Sequence, residues 1–118
     1  MAGGERRGET EVALAGILEW RSASRLRFRA RHSADVIVES LSLYGTRLRI
    51  LNHLGPFSVD HRVRVFINGV MSKARVIWTD GDQIRVTFIN PSEEFLDTLR
   101  AILKIGNPGW GAWTRPAA

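Results

Sequence analysis

Fifteen of the seventeen basic residues in this 118-residue chain are arginines, and five of them (Arg21, Arg25, Arg27, Arg29, Arg31) fall within eleven positions that hold no acid. A guanidinium is a flat fork of five donors, suited to bidentate grips on phosphate oxygens and on the O6/N7 edge of guanine, whereas lysine acts as a solvated point charge. With a net charge of +5 and a pI near 11.0, this local excess points to an anionic partner. The plainer alternative is a solvated, arginine-decorated strand. Residues for catalysis are missing their usual company. His32, His53 and His61 have neither helical i, i+4 pairing nor tight metal spacing. The absence of cysteine excludes disulfides, thiolate zinc sites and thiol chemistry. Ser40 and Ser42 have no histidine in sequence reach, and Asp80 and Asp82 flank Gly81 as turn formers. The expectation is a binding protein rather than an enzyme, with no metal and no cofactor.

Such arginines need a scaffold, and the chain has room for one domain. Residues 1–19 read as a flexible N-terminal segment. Met1 to Glu9 is glycine-rich with two apolar side chains, and the Ala, Leu and Glu of Thr10 to Trp20 suit one or two helical turns, weakened by Gly16. From Arg25 to Ile89 the apolar period is two, in short segments bounded by turn residues, which is the pattern of a small antiparallel sheet or barrel. Six strands are expected. The first is Arg25 to Arg31, followed by a turn at His32 to Asp35 and a strand over Val36 to Ser42. Next, Leu48 and Ile50 face inward with Arg47 and Arg49 outward, and residues 51–60 form a loop around Gly55-Pro56. Val63, Val65 and Ile67 lead to a hairpin at Asn68-Gly69. Ala74, Val76 and Trp78 continue the core face to a turn at Asp80-Gly81, and Ile84, Val86 and Phe88 close the series. Asn90 as N-cap, Pro91 at the first helical position and Glu93 three residues after the cap predict a helix. Its apolar stripe is Phe95, Leu96, Leu99, Ile102 and Leu103, and it stops at Gly106. It should plug one end of the barrel. Residues 20–105 thus form the domain, and residues 106–118 a tail containing Trp110 and Trp113.

The order of parts resembles the PilZ family: Arg21-x-x-x-Arg25, then Ser40-Leu41-Ser42-Leu43-Tyr44-Gly45, a V-I-W element at Val76 to Trp78 and a final helix, with Asn107 to Gly111 similar to an N-x-W-G tail of some relatives. The resemblance covers roughly Trp20 to Lys104. It implies a mainly β fold, a six-stranded antiparallel β-barrel with one C-terminal α-helix, and binding of the bacterial second messenger cyclic di-guanylate (cyclic di-GMP) through R-x-x-x-R and [DN]-x-S-x-x-G motifs. Carried over residue by residue, it implies ligand contacts at Arg21, Arg25, Ser42 and Gly45. Two phosphates and two guanines suit arginine forks, and small Ser and Gly allow close backbone approach. Ser40 stands where the family has Asp or Asn, and its hydroxyl cannot reproduce a charged or two-point acceptor for the guanine N1/N2 edge. Glu39 would need a register slip or bulge to substitute, since adjacent strand residues point to opposite faces.

Two functions follow from the resemblance. One is a receptor or adaptor that binds cyclic di-GMP and relays second-messenger levels to a protein effector. The other is a degenerate PilZ domain acting only through protein contacts. A third possibility, a nucleic-acid-binding barrel with Arg27, Arg29, Arg47 and Arg49 tracking phosphates and Phe28 or Trp20 stacking on bases, is less favoured. The longest apolar runs hold seven residues, such as Val12 to Leu18, so membrane insertion is not expected and a cytoplasmic location is.

Overall fold

The computed structural model describes residues 9–21, 31–52 and 57–105. Six strands, Thr10–Arg21 (β1), Arg31–Leu41 (β2), Gly45–Ile50 (β3), Arg62–Ile67 (β4), Val70–Asp80 (β5) and Gln83–Ile89 (β6), precede one helix, Glu93–Ile105 (α1). The strands close into an antiparallel barrel in the order β1-β2-β3-β6-β5-β4. Closure removes sheet edges, so every strand is paired on both sides over part of its length. The mainly β barrel with one C-terminal helix is thus the observed architecture. Its core gathers alternate residues from all six strands, among them Leu18, Val36, Val38, Leu48, Val65, Val76, Ile84 and Val86, with Phe95, Leu99 and Ile102 of α1.

The hairpin turns fall where their residues require. Asn68 and Gly69 have φ of 51° and 78°, the left-handed pair a two-residue hairpin needs, and Gly81 has φ of 64° between β5 and β6. Val63, Val65 and Ile67 point inward, as do Leu48 and Ile50, with Arg47 and Arg49 on the outside.

Four readings of the sequence are corrected. Thr10 to Trp20 is neither helical nor part of a flexible leader: it is the long first strand, so the barrel begins at residue 10 rather than 20. Ala13, Ala15 and Ile17 place small or apolar groups on the outer face and hide the alternation, and pairing with β2 and β4 overrides helix propensity. His32 to Asp35 is not a turn. It continues β2, paired with β1 from Trp20↔His32 to Ile17↔Asp35. Of the strand expected over Arg25 to Arg31, only Arg31 falls within the described residues. Trp78 does not continue the core face. The β5–β6 register shifts between Val76 and Trp78, and this bulge leaves Ile77 and Trp78 exposed. Finally, the helix cap is Ser92, not Asn90. Ser92 Oγ accepts from Phe95 N at 3.1 Å and the Ser92 carbonyl accepts from Leu96 N at 2.9 Å. Asn90 instead turns the chain with φ of 45°. Glu93 and Glu94 then occupy the first helical turn, where carboxylates suit the macrodipole. The predicted stop at Gly106 and the tail from Asn107 lie outside the described residues, as do residues 1–8.

Helix α1 follows β6 and shares the barrel's core. Phe95 sets its ring edge-to-face on Phe88 at 5.0 Å, with Leu99 and Ile102 one and two turns further on. Near Arg21 and Arg31, Trp20 stacks on His32 at 5.5 Å and meets Phe57 edge-on at 4.8 Å, with His61 5.6 Å from Phe57. Trp20 is therefore built into this aromatic cluster rather than presented for stacking.

Candidate functional site

The turn joining β2 to β3 is the S-x-x-G element. Ser42 Oγ accepts from Tyr44 N at 3.0 Å and from Gly45 N at 3.2 Å, and Ser42 N donates to the Gly45 carbonyl at 3.0 Å. A serine hydroxyl here replaces a backbone acceptor and closes the turn. Gly45 has a different reason. A Cβ at this position would come within 3.0 Å of the Val86 carbonyl oxygen, so β3 and β6 can meet here only if residue 45 has no side chain. The Tyr44 carbonyl completes the seam by accepting from Phe88 N at 2.9 Å and Thr87 Oγ1 at 3.2 Å. Both motif residues thus build the fold locally.

Upstream, the β2–β3 register shifts between Val38 and Ser40. Val38 points into the core and Leu41 does too, so the two residues between them, Glu39 and Ser40, both lie on the outer wall. This is the bulge that Glu39 needed to share a face with Ser40. Ser40 is nevertheless fully buried. Its Oγ donates to Glu9 Oε1 at 3.3 Å, and Arg85 Nη1 donates to the other oxygen of Glu9. The hydroxyl expected at the acceptor position is therefore a donor to a carboxylate from the start of the chain.

Around them the outer wall of β1, β2, β3 and β6 carries two groups of ion pairs, Glu9 with Arg85 and a larger one centred on Glu39. Glu39 Oε2 accepts from Arg49 Nε at 2.8 Å and its Oε1 from Gln83 Nε2 at 2.7 Å. Arg49 Nη1 also reaches both oxygens of Asp82 at 3.1 Å. Arg47 bonds Glu11 at 3.3 Å, and its buried Nε lies 3.6 Å from Glu39 Oε1, an ion-pair contact too long for a hydrogen bond. Four carboxylates (Glu9, Glu11, Glu39, Asp82) thus meet three guanidiniums (Arg47, Arg49, Arg85). Burial pushes the Glu39 carboxyl up, but the hydrogen bonds from Arg49 and Gln83 and the charges of Arg49 and Arg47 outweigh it and hold Glu39 below its ordinary value. A carboxylate lowered on folding stabilises the fold above its unfolded value, and that contribution is lost as pH falls through the lowered folded value. Glu39→Gln is accordingly expected to cost about 1–2 kcal/mol at neutral pH, with mutant and wild type converging in acid. Urea unfolding across the acid range checks this, and curves that stay parallel would show that ionisation of Glu39 contributes nothing.

The structure does not bring the predicted site together. Arg21 ends β1 and pairs with Arg31, whereas Leu41, next to Ser42, pairs with Thr10 at the other end of the same hairpin. Ten residues at about 3.3 Å each separate Arg21 from the S-x-x-G turn by roughly 33 Å of strand. Arg25 lies outside the described residues. Ser40, Ser42 and Gly45 are together; Glu39, set aside on strand parity, joins them through the bulge, while Glu9 and Arg85 carry no signal in the sequence. No protein-family model matches the chain, and no curated protein matches it.

Proposed function

We propose that this chain is a non-enzymatic, PilZ-like barrel that acts through contacts with a protein partner, the second of the two functions its sequence resemblance allows. One observation carries the choice. The wall that runs from Ser42 and Gly45 along β3 to Asp82 holds four carboxylates and three guanidiniums, each paired with an opposite charge on that wall. A ligand with two phosphates at the turn would have to break these pairs and settle beside Glu9, Glu11 and Glu39, which disfavours an anion there. Distance adds to this, because Arg21 stands at the far end of the β1–β2 hairpin from the turn.

Isothermal titration of the full chain with cyclic di-GMP decides between the two functions. The expected result is no saturable heat up to sub-millimolar nucleotide. Micromolar binding that is lost in both Arg21→Ala and Ser42→Ala, with the thermal midpoint of Arg21→Ala unchanged, would restore the receptor reading.

A further inference from the structure

Strand register sets cation against cation at the far end of the β1–β2 hairpin and across β4 and β5. Arg31 of β2 directly opposes Arg21 of β1, Arg62 of β4 opposes Arg75 of β5, and Arg64 of β4 opposes Lys73 of β5. Trp20 pairs with Val63, so the next step of that register sets Arg21 beside Arg62. Four arginines, Arg31, Arg21, Arg62 and Arg75, therefore run in one row across four neighbouring strands, about 14 Å from end to end at the usual strand spacing. They face outward because Trp20, Val63, Ala74 and Val76 face the core. Like charges directly opposite in a sheet are destabilising, so this arrangement works against the fold that carries it. Among the described residues two carboxylates answer these six cations: Glu19, 3.9 Å from Arg64, and Asp60, 2.7 Å from Arg75. Among the described residues no carboxylate is in ion-pair range of Arg21, Arg31, Arg62 or Lys73.

Beyond these cations lies an apolar row. Ile17 of β1 opposes Phe66 of β4, which opposes Met71 of β5, and Ile17 and Met71 are 44% and 37% exposed. Four residues of β1 separate this row from the arginine row, roughly 13 Å. Resting on the proposed function, we infer that the outer wall of β2, β1, β4 and β5 docks an acidic segment of a partner protein, with carboxylates on the arginine row and an apolar side chain on Ile17, Phe66 and Met71. Charge complementarity selects the partner's sign, and the apolar row selects a protein over a bare polyanion. A nucleic acid would also want a stacking platform. Among the described residues no aromatic side chain stands in the arginine row itself: Trp20 packs on His32 and Phe57, and the exposed Trp78 lies three residues beyond Arg75 on β5. Phe66 is half-buried in the wall rather than projecting, which suits a packed side chain better than insertion into lipid.

Fluorescence anisotropy on the full chain tests this with a labelled glutamate-rich peptide ending in a leucine cluster. Three comparison probes are an all-glutamate peptide of equal length, a single-stranded oligonucleotide of equal charge, and vesicles containing phosphatidylserine. The leucine-bearing peptide should bind tightest and weaken with added salt. The double variant R21E/R62E should weaken it at least tenfold, and Ile17→Ser should erase its advantage over the all-glutamate peptide. Thermal midpoints guard against misfolding, and Arg62→Gln, which removes the like-charge pairs with Arg75 and Arg21, should hold or raise the midpoint while also weakening binding. Arg47→Gln, on the opposite wall, should leave binding unchanged. Tighter binding of the oligonucleotide or vesicles, or equal loss in Arg47→Gln, would overturn the assignment. A peptide that fails to bind while cyclic di-GMP gives no heat defeats this inference alone, whereas saturable nucleotide binding lost in Ser42→Ala defeats the reading beneath it.

Discussion

Replacing Gly45 by alanine is expected to cost about 3 kcal/mol of unfolding free energy, the upper part of the range for forcing an atom into a packed site. The obstruction is backbone, not a side chain that could swing away. A Cβ at residue 45 would overlap the Val86 carbonyl oxygen and approach its carbon to 3.3 Å. Relief requires β3 and β6 to part where Gly45 pairs with Thr87 and where the Tyr44 carbonyl takes two hydrogen bonds from β6. A closed barrel resists that movement because β3 is also paired to β2. Urea unfolding measures the effect, and a loss under about 1 kcal/mol would mean the seam relaxes easily. The same geometry bears on how the motif is read. Ser42 closes a turn and Gly45 permits a strand contact, so S-x-x-G answers a folding need in this barrel whether or not a ligand is ever bound.

What the sequence discloses here depends on how local the determinant is. Asn68-Gly69 and Asp80-Gly81 specify their turns through the φ values of one or two residues, and the inward valines of β4 repeat at a period nothing else explains. The barrel and its helix were legible from such signals. Strand β1 was not, since its outer face carries Ala13, Ala15 and Ile17 and only its neighbours β2 and β4 decide that it is extended. The helix start was displaced by two residues because Asn90 and Ser92 are both good caps around one proline, and the left-handed φ of Asn90 belongs to a turn.

The candidate site was harder still. Whether Arg21 lies near Ser42 depends on whether it enters or leaves a strand, and it leaves one, so an apparently suitable spacing became a separation by most of a hairpin. Glu39 and Ser40 share a face only because of a bulge set by pairing with β3. The cation rows are only partly visible in sequence. The two-residue turn at Asn68-Gly69 sets Arg62 opposite Arg75, but Arg21 is far away along the chain and only the β1–β4 register makes it their neighbour. The barrel thereby acquires two unlike walls, one where acids and arginines neutralise each other and one where cations accumulate, although the net charge of +5 hints at neither.

Phe95→Ala is expected to cost about 3–5 kcal/mol, the range for emptying a fully buried aromatic site. Phe95 has no exposed surface, and it lies at the junction of two dependencies. Its backbone N–H is satisfied by the Ser92 cap, so it secures the first turn of the helix, and its ring rests edge-to-face on Phe88, so it ties that helix to the end of β6. Thirteen residues form a marginal helix in isolation, and α1 keeps its shape because Phe95, Leu99 and Ile102 are held by the barrel. Removing the first of these holds leaves a void beside Phe88 and weakens the contact nearest the cap, where the chain leaves β6. The six strands, joined all round by hydrogen bonds, do not depend on that ring for their pairing. Amide hydrogen exchange should therefore show protection falling further in Glu93–Ile105 than in the paired centre of β1 and β2, as expected when one unit opens before the rest. Equal loss of protection in helix and barrel would show instead that Phe95 is a keystone of the barrel itself, and that the helix and the strands open as one.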